Sequence, residues 1–178
     1  DAADDVDGAG ADAVLRAIAT SLAASPVGET LRLITHDVDT AVHLGNLNAE
    51  AADDIDTALD LAASALGSTP TAIGHKRTAE LRARGTGGEA WEPVVVVSGA
   101  DHLPHGALRE LRDVTRGGGR GLAVVLRQPV EGASLTVRAA RHGWEIERLG
   151  LTVVPVGIDL QHVHDVRHLL YSAEQPLL

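Results

Sequence analysis

The 178-residue chain contains no cysteine, no methionine and no phenylalanine, and its aromatic side chains are two tryptophans and one tyrosine. Without cysteine there are no disulfides, no thiolate zinc sites and no thiol nucleophile. So few aromatics leave no platform on which successive bases could stack, which argues against single-stranded nucleic acid as a partner. No apolar run approaches the ~18 residues that mark a membrane-spanning helix. The first residue is Asp1 rather than Met, and no basic-then-apolar leader follows it. The chain is therefore expected to be a piece of a longer protein. What remains is 44% hydrophobic and 22% charged, the balance of one folded domain whose core is built from Leu, Val, Ile and Ala.

Negative charge is concentrated at the front. Residues 1–60 carry thirteen Asp/Glu against two Arg, a net of −11, and residues 61–178 carry twelve acids against thirteen bases, a net of +1. An acidic first third repels phosphate, so direct nucleic-acid binding is not expected.

The hydrophobic pattern alternates between helical and strand periods. Residues 1–9 read as a frayed acidic entry. Val14, Leu15, Ile18 and Leu22 share one face of a helix over 11–24, which Pro26 closes. Thr30–Ile34 is a short strand, and Asn48 is placed to cap a helix reaching Leu66 with Ile55, Leu59 and Ala62 on its stripe. Pro70 opens a helix to Arg84, ended by the Gly85–Gly88 loop. Pro93–Val97 is apolar on both faces, the mark of a central parallel strand. A helix over Pro104–Thr115, a glycine turn over Gly117–Gly121 and a second buried strand at Leu122–Leu126 complete a βαβ unit. Ser134–Arg138, Trp144–Arg148 and Leu151–Pro155 read as a meander on the sheet edge, and Asp159 caps a last helix through Tyr171. The expected fold is a single α/β domain over 1–178, with a mostly parallel central sheet and an antiparallel C-terminal edge hairpin.

Two stretches stand where nucleotide chemistry is built in other α/β proteins. Gly8, Gly10, Ala11 and Asp12 lead into a helix, as a phosphate loop does, but Ala11 and Asp12 occupy the positions of the Lys and Ser/Thr. Pro93–Val97 ends in Ser98-Gly99 rather than in an acidic pair for magnesium. Asp101, three residues on, suits a helix cap better than a displaced metal ligand.

On these residues the chain resembles the P-loop domain of FtsK/SpoIIIE-type ATPases, including those of type VII secretion. Gly8–Ala23 corresponds to that family's Walker A loop and helix, Leu31–Asp37 to the next strand, where the family often carries a functional Asp, and Pro93–Val97 to its Walker B strand. Leu122–Pro129 corresponds to the following strand and its sensor-like end. A narrower resemblance, carried by Trp144–Val153, is to the degenerate version in large actinobacterial proteins that combine LysM or membrane segments with a bacterial transcriptional activator domain, akin to SARP-type regulators. The Ala-rich, Lys-poor composition agrees with a high-GC source. The resemblance implies a P-loop NTPase-like three-layer fold. With both motifs lacking their chemical residues, nucleotide binding is not expected, no cofactor is expected, and no catalytic residue is named. It implies a cytoplasmic regulatory or scaffolding module, tethered to a membrane only through flanking segments. Such a module acts through contacts with other domains of its own chain, a protein partner or further copies of itself.

Other constellations bear on function. Arg109, Arg112, Arg116 and Arg120 step along one helix and beyond it, a docking stripe for an acidic surface or a solvated face. Ser98, Asp101 and His102, with His105 nearby, stand at a strand end, where small ligands bind in open α/β sheets. His162, His164 and His168 flank Asp165 on the last helix, but without a third ligand in the sequence pattern no metal site is assigned. Two alternatives follow: a divergent ATPase that completes an ATP–magnesium site in an oligomer, for DNA or protein translocation, and a small-molecule sensor.

Overall fold

The computed structural model describes residues 4–24, 31–41, 48–67, 93–115, 121–140 and 143–174. In chain order these hold α1 (Asp4–Ala24), β1 (Arg32–His36), β2 (Ala49–Ala52), α2 (Ile55–Gly67), β3 (Val94–Ser98), α3 (His105–Thr115), β4 (Leu122–Leu126), β5 (Val137–Ala140), β6 (Gly143–Ile146), β7 (Leu151–Val153) and α4 (Leu160–Glu174). The helix expected over 70–84, its glycine loop and most of the Gly117–Gly121 turn lie outside the described residues.

Strands β1 to β4 form one sheet, all parallel, in the order β2-β1-β3-β4. Continuous apolar runs explain the interior. Val94, Val96 and Ile34 point to one face and meet Ile55, Ala58, Leu59 and Ala62 of α2 and Ala107 and Leu111 of α3. Val95, Val97 and Leu33 point to the other and meet Leu15 and Ala19 of α1. Helices on both faces of a parallel sheet make three layers, because period-2 alternation sends successive side chains of each buried strand into opposite cores. Every residue of β3 is buried. In contrast β4, expected to be equally buried, is partly exposed with Ala123 at the surface, since among the described residues it ends the sheet with β3 as its one neighbour.

Two element starts lie far from the sequence expectation, and smaller shifts place β1 at Arg32–His36 rather than Thr30–Ile34 and β5 at Val137–Ala140 rather than Ser134–Arg138. The helix expected from Asn48 is split: Ala49–Ala52 pairs with β1 in parallel register, Leu33 against Ala49, and the helix starts at Ile55. Its cap is Asp54, whose carboxylate accepts the Thr57 backbone N–H at 2.7 Å. Pairing with β1 outweighs the helical propensity of Ala-Glu-Ala-Ala, because a strand position beside β1 satisfies the β1 backbone groups on that side. The second difference is at the front: α1 begins at Asp4, not Ala11, so Gly8–Asp12 lie inside a helix.

The C-terminal strands do not join the parallel sheet. They form a separate antiparallel sheet in the order β5-β6-β7. Its register places Val137, Ile146 and Leu151 in one row and Ala139, Trp144 and Val153 in the next, all on the same face. Arg138, Glu145 and Thr152 occupy the other face, where Arg138 bridges Glu147 at 2.7 Å. The segment after β7 lies along α1. Gly157 makes this possible, because a Cβ there would come within 2.5 Å of the Ala13 Cβ. Ile158 N–H donates to the Ala13 carbonyl at 2.9 Å, and Arg16 Nε donates to the Ile158 carbonyl at 2.7 Å. Among the described residues no helix is long and apolar enough to cross a membrane.

Candidate functional site

From β1 the chain passes to β2 on one side, then returns beyond β1 to place β3 on the other. Loops leaving β1 and β3 therefore run in opposite directions, and a crevice opens between the strands' carboxyl ends, where open α/β sheets bind their ligands. A cleft of about 270 Å³, open on one side to solvent, lies there, lined by residues of α1, the turns after β1, β3 and β4, and the start of α4.

Its floor is tightly made. Asp37, the first residue after β1, has φ of 52°, a left-handed conformation that Asp tolerates better than most residues. Gly99, the first after β3, donates its N–H to the His36 carbonyl at 2.9 Å. A Cβ at Gly99 would fall 2.1 Å from the Asp37 carbonyl oxygen, so only glycine lets the two turns approach.

Charges around the cavity are largely paired. Arg127, at the end of β4, reaches Asp12 of α1 at 3.2 Å and Asp101 at 3.0 Å. Arg167 of α4 binds Asp39 at 2.9 Å and the Thr40 carbonyl at 3.2 Å. Asp37 and Arg16 also line the cavity, and neither makes an ion pair among the described residues.

The residues singled out from sequence are thus distributed unevenly. Gly8, Gly10, Ala11 and Asp12 sit in α1, where the backbone N–H groups donate to carbonyls four residues back. Those N–H groups are committed inside the helix rather than arrayed around an anion. Of the four, Asp12 alone lines the cavity. Ser98 is 1% exposed; its hydroxyl shares a 2.9 Å hydrogen bond with His36 Nδ1 and accepts from Ala100 N–H at 3.4 Å. That bond ties β1 to β3 at a matched register position and leaves the hydroxyl without access to a ligand. Asp101 is held by Arg127, and His102 and His105 are exposed. Arg109 and Arg112 project from the exposed side of α3 beside a shallow groove lined with His105 and Leu108, and Arg112 bonds Glu131 at 3.2 Å. Arg116 and Arg120 lie outside the described residues. At the start of α4, Asp159 caps the helix by accepting the His162 backbone N–H at 2.9 Å and also meets His162 Nδ1 at 2.7 Å, and His164 and His168 are exposed. Among the described residues no group of three His, Asp or Glu is placed to hold a metal.

Sequence reasoning did not find the Arg16–Ile158, Arg167–Asp39 and Arg127–Asp12 contacts, which join positions more than a hundred residues apart. Asp37 was legible as the end of a strand and, through the resemblance, as the position where that family often carries a functional Asp, but not as a residue facing Arg16 across a cleft.

A second feature lies away from the cavity. All eleven exposed large hydrophobics among the described residues fall between Leu135 and Tyr171. Val154 and Val156 are 82% and 79% exposed, and Val137, Leu151 and Val153 expose the apolar face of the antiparallel sheet. Trp144, on that same face, lies near Gly10 of α1. On α4, Val166 and Leu169 are exposed while Val163, one turn before Val166, is buried.

No family model, curated protein or solved structure matches the chain.

Proposed function

We propose that this chain is a non-catalytic, P-loop-like regulatory or scaffolding domain of a larger protein linked to transcriptional control, and that it works through protein–protein contact. The observation that carries the reading is the confinement of every exposed large hydrophobic among the described residues to Leu135–Tyr171. Soluble monomers scatter such residues singly; contiguous apolar surface marks an interaction site. Here the apolar rows of β5–β7, the Val154–Val156 segment and Val166 and Leu169 of α4 provide the exposed side chains, and they favour a C-terminal docking surface.

The Arg127 contacts support the non-catalytic part. On the resemblance to P-loop ATPases, Asp12 takes the position of the magnesium-binding Ser/Thr, and Asp101 follows the strand that normally ends in acidic residues. Arg127 places a permanent cation between these two carboxylates. A metal bound there would have to displace a guanidinium already paired twice, and a triphosphate would meet a helix without a free glycine loop.

Hydrogen exchange tests the docking role. The backbone of Leu149–Val156 and of α4 is compared in this chain alone and within the longer protein that carries it. Added protection confined to those segments is expected, and equal exchange in both settings would overturn the reading.

A further inference from the structure

The cavity between the ends of β1 and β3 has a charge pattern that selects a ligand class. Of its ionised residues, Asp12 is paired with Arg127 and Asp39 with Arg167. That leaves Asp37, whose exposed carboxylate makes no ion pair among the described residues, and Arg16, whose Nε is used by the Ile158 carbonyl and whose guanidinium makes none either. The two line one cavity without bridging each other. We propose that this cavity binds a small zwitterion of the α-amino acid class, its ammonium on Asp37 and its carboxylate on Arg16.

Several features favour this class. The volume, about 270 Å³, lies just under the ~300–1,000 Å³ of sites for drug-sized ligands and suits one amino acid. A phosphate or nucleotide meets three carboxylates there and a second arginine, Arg127, that is already spent. A zwitterion answers both unpaired charges at once, each by a charge-assisted hydrogen bond. Leu15, Val38 and Leu160 give the remaining wall an apolar side chain to contact. The floor is rigid because Gly99 and Asp37 are pressed together. The left-handed Asp37 backbone is a local cost of the kind that clusters at ligand sites. This inference goes beyond the proposed docking function: the two surfaces share Leu160 at the start of α4, but Asp37 and Arg16 lie outside the apolar C-terminal face, so either can fail without the other.

The test is thermal denaturation and calorimetry of the 178-residue chain with glycine, L-alanine, L-serine, L-aspartate, L-leucine and L-lysine at millimolar concentration. The N-acetyl and carboxamide forms of any hit follow. Saturable stabilisation by at least one amino acid is expected, weakened about tenfold or more when either charge is blocked, since each blocked form forfeits one charged contact. Asp37→Asn, which keeps a residue tolerant of the left-handed backbone, and Arg16→Gln should each weaken binding similarly. The blocked ligands give the same discrimination if a variant fails to fold. The proposal is overturned by no saturable shift with any of the six, by blocked forms that bind as well as the parent, or by binding that survives both substitutions.

Discussion

Arg127 joins carboxylates from two parts of the chain, and its side chain is 23% exposed. Arg127→Ala should lower stability by about 1 kcal/mol, the upper end of what partly exposed ion pairs contribute. Arg127→Lys should recover little of that, because one ammonium lacks the planar fork that spans two acceptors; urea melts of the three proteins at equal salt decide it. Asp54 and Asp159 act at helix N-termini. Backbone N–H donation from Thr57 holds Asp54 below the ordinary carboxylate range, and donation from His162 does the same for Asp159. A carboxyl whose pKa is depressed on folding contributes stability above its unfolded value and loses it as pH falls through the folded one. Stability should therefore decline below about pH 4, with a shallower acid limb in the Asp54→Ala, Asp159→Ala double variant, as measured by denaturant midpoints across pH.

At the level of elements, the strand ends are the least forgiving places. Gly99→Ala forces a Cβ onto the Asp37 carbonyl oxygen and should cost about 1–3 kcal/mol by overpacking. Ser98→Ala removes the hydroxyl that joins β3 to His36 and should cost about 1 kcal/mol. The apolar runs made β1, β3 and β4 legible: Val94–Val97 and Leu122–Leu126 read as strands because no helix period fits them. The Ala49–Ala52 strand was not legible, since four residues of Ala and Glu carry no strand signal and owe their state to β1. Nor was the early start of α1, because Gly8 and Gly10 ordinarily mark a loop. Of the candidate site, the location at strand ends followed from topology, and Asp37 and Gly99 could be placed there. The pairing partners could not, because Arg16, Arg127 and Arg167 reach the cavity only once α1, β4 and α4 have converged on it.

For the whole molecule, two halves differ in how they meet solvent. The parallel sheet encloses its Val, Leu and Ile side chains between helices, and the C-terminal meander and α4 leave most of theirs uncovered. Leu151→Glu and Leu169→Glu should change folding stability within about 0.5 kcal/mol, as surface substitutions do, while reducing the binding of a hydrophobic dye to the native chain. A large loss of stability in either variant would mean that the face is already covered from within. The central claim, a P-loop-like domain that works without nucleotide, is most directly met by a titration of ATP with magnesium followed by thermal stability and by heat. A ligand at 100 times its dissociation constant adds about 2.7 kcal/mol, well above detection. No shift at millimolar ATP is the predicted result; a saturable, magnesium-dependent shift would contradict it.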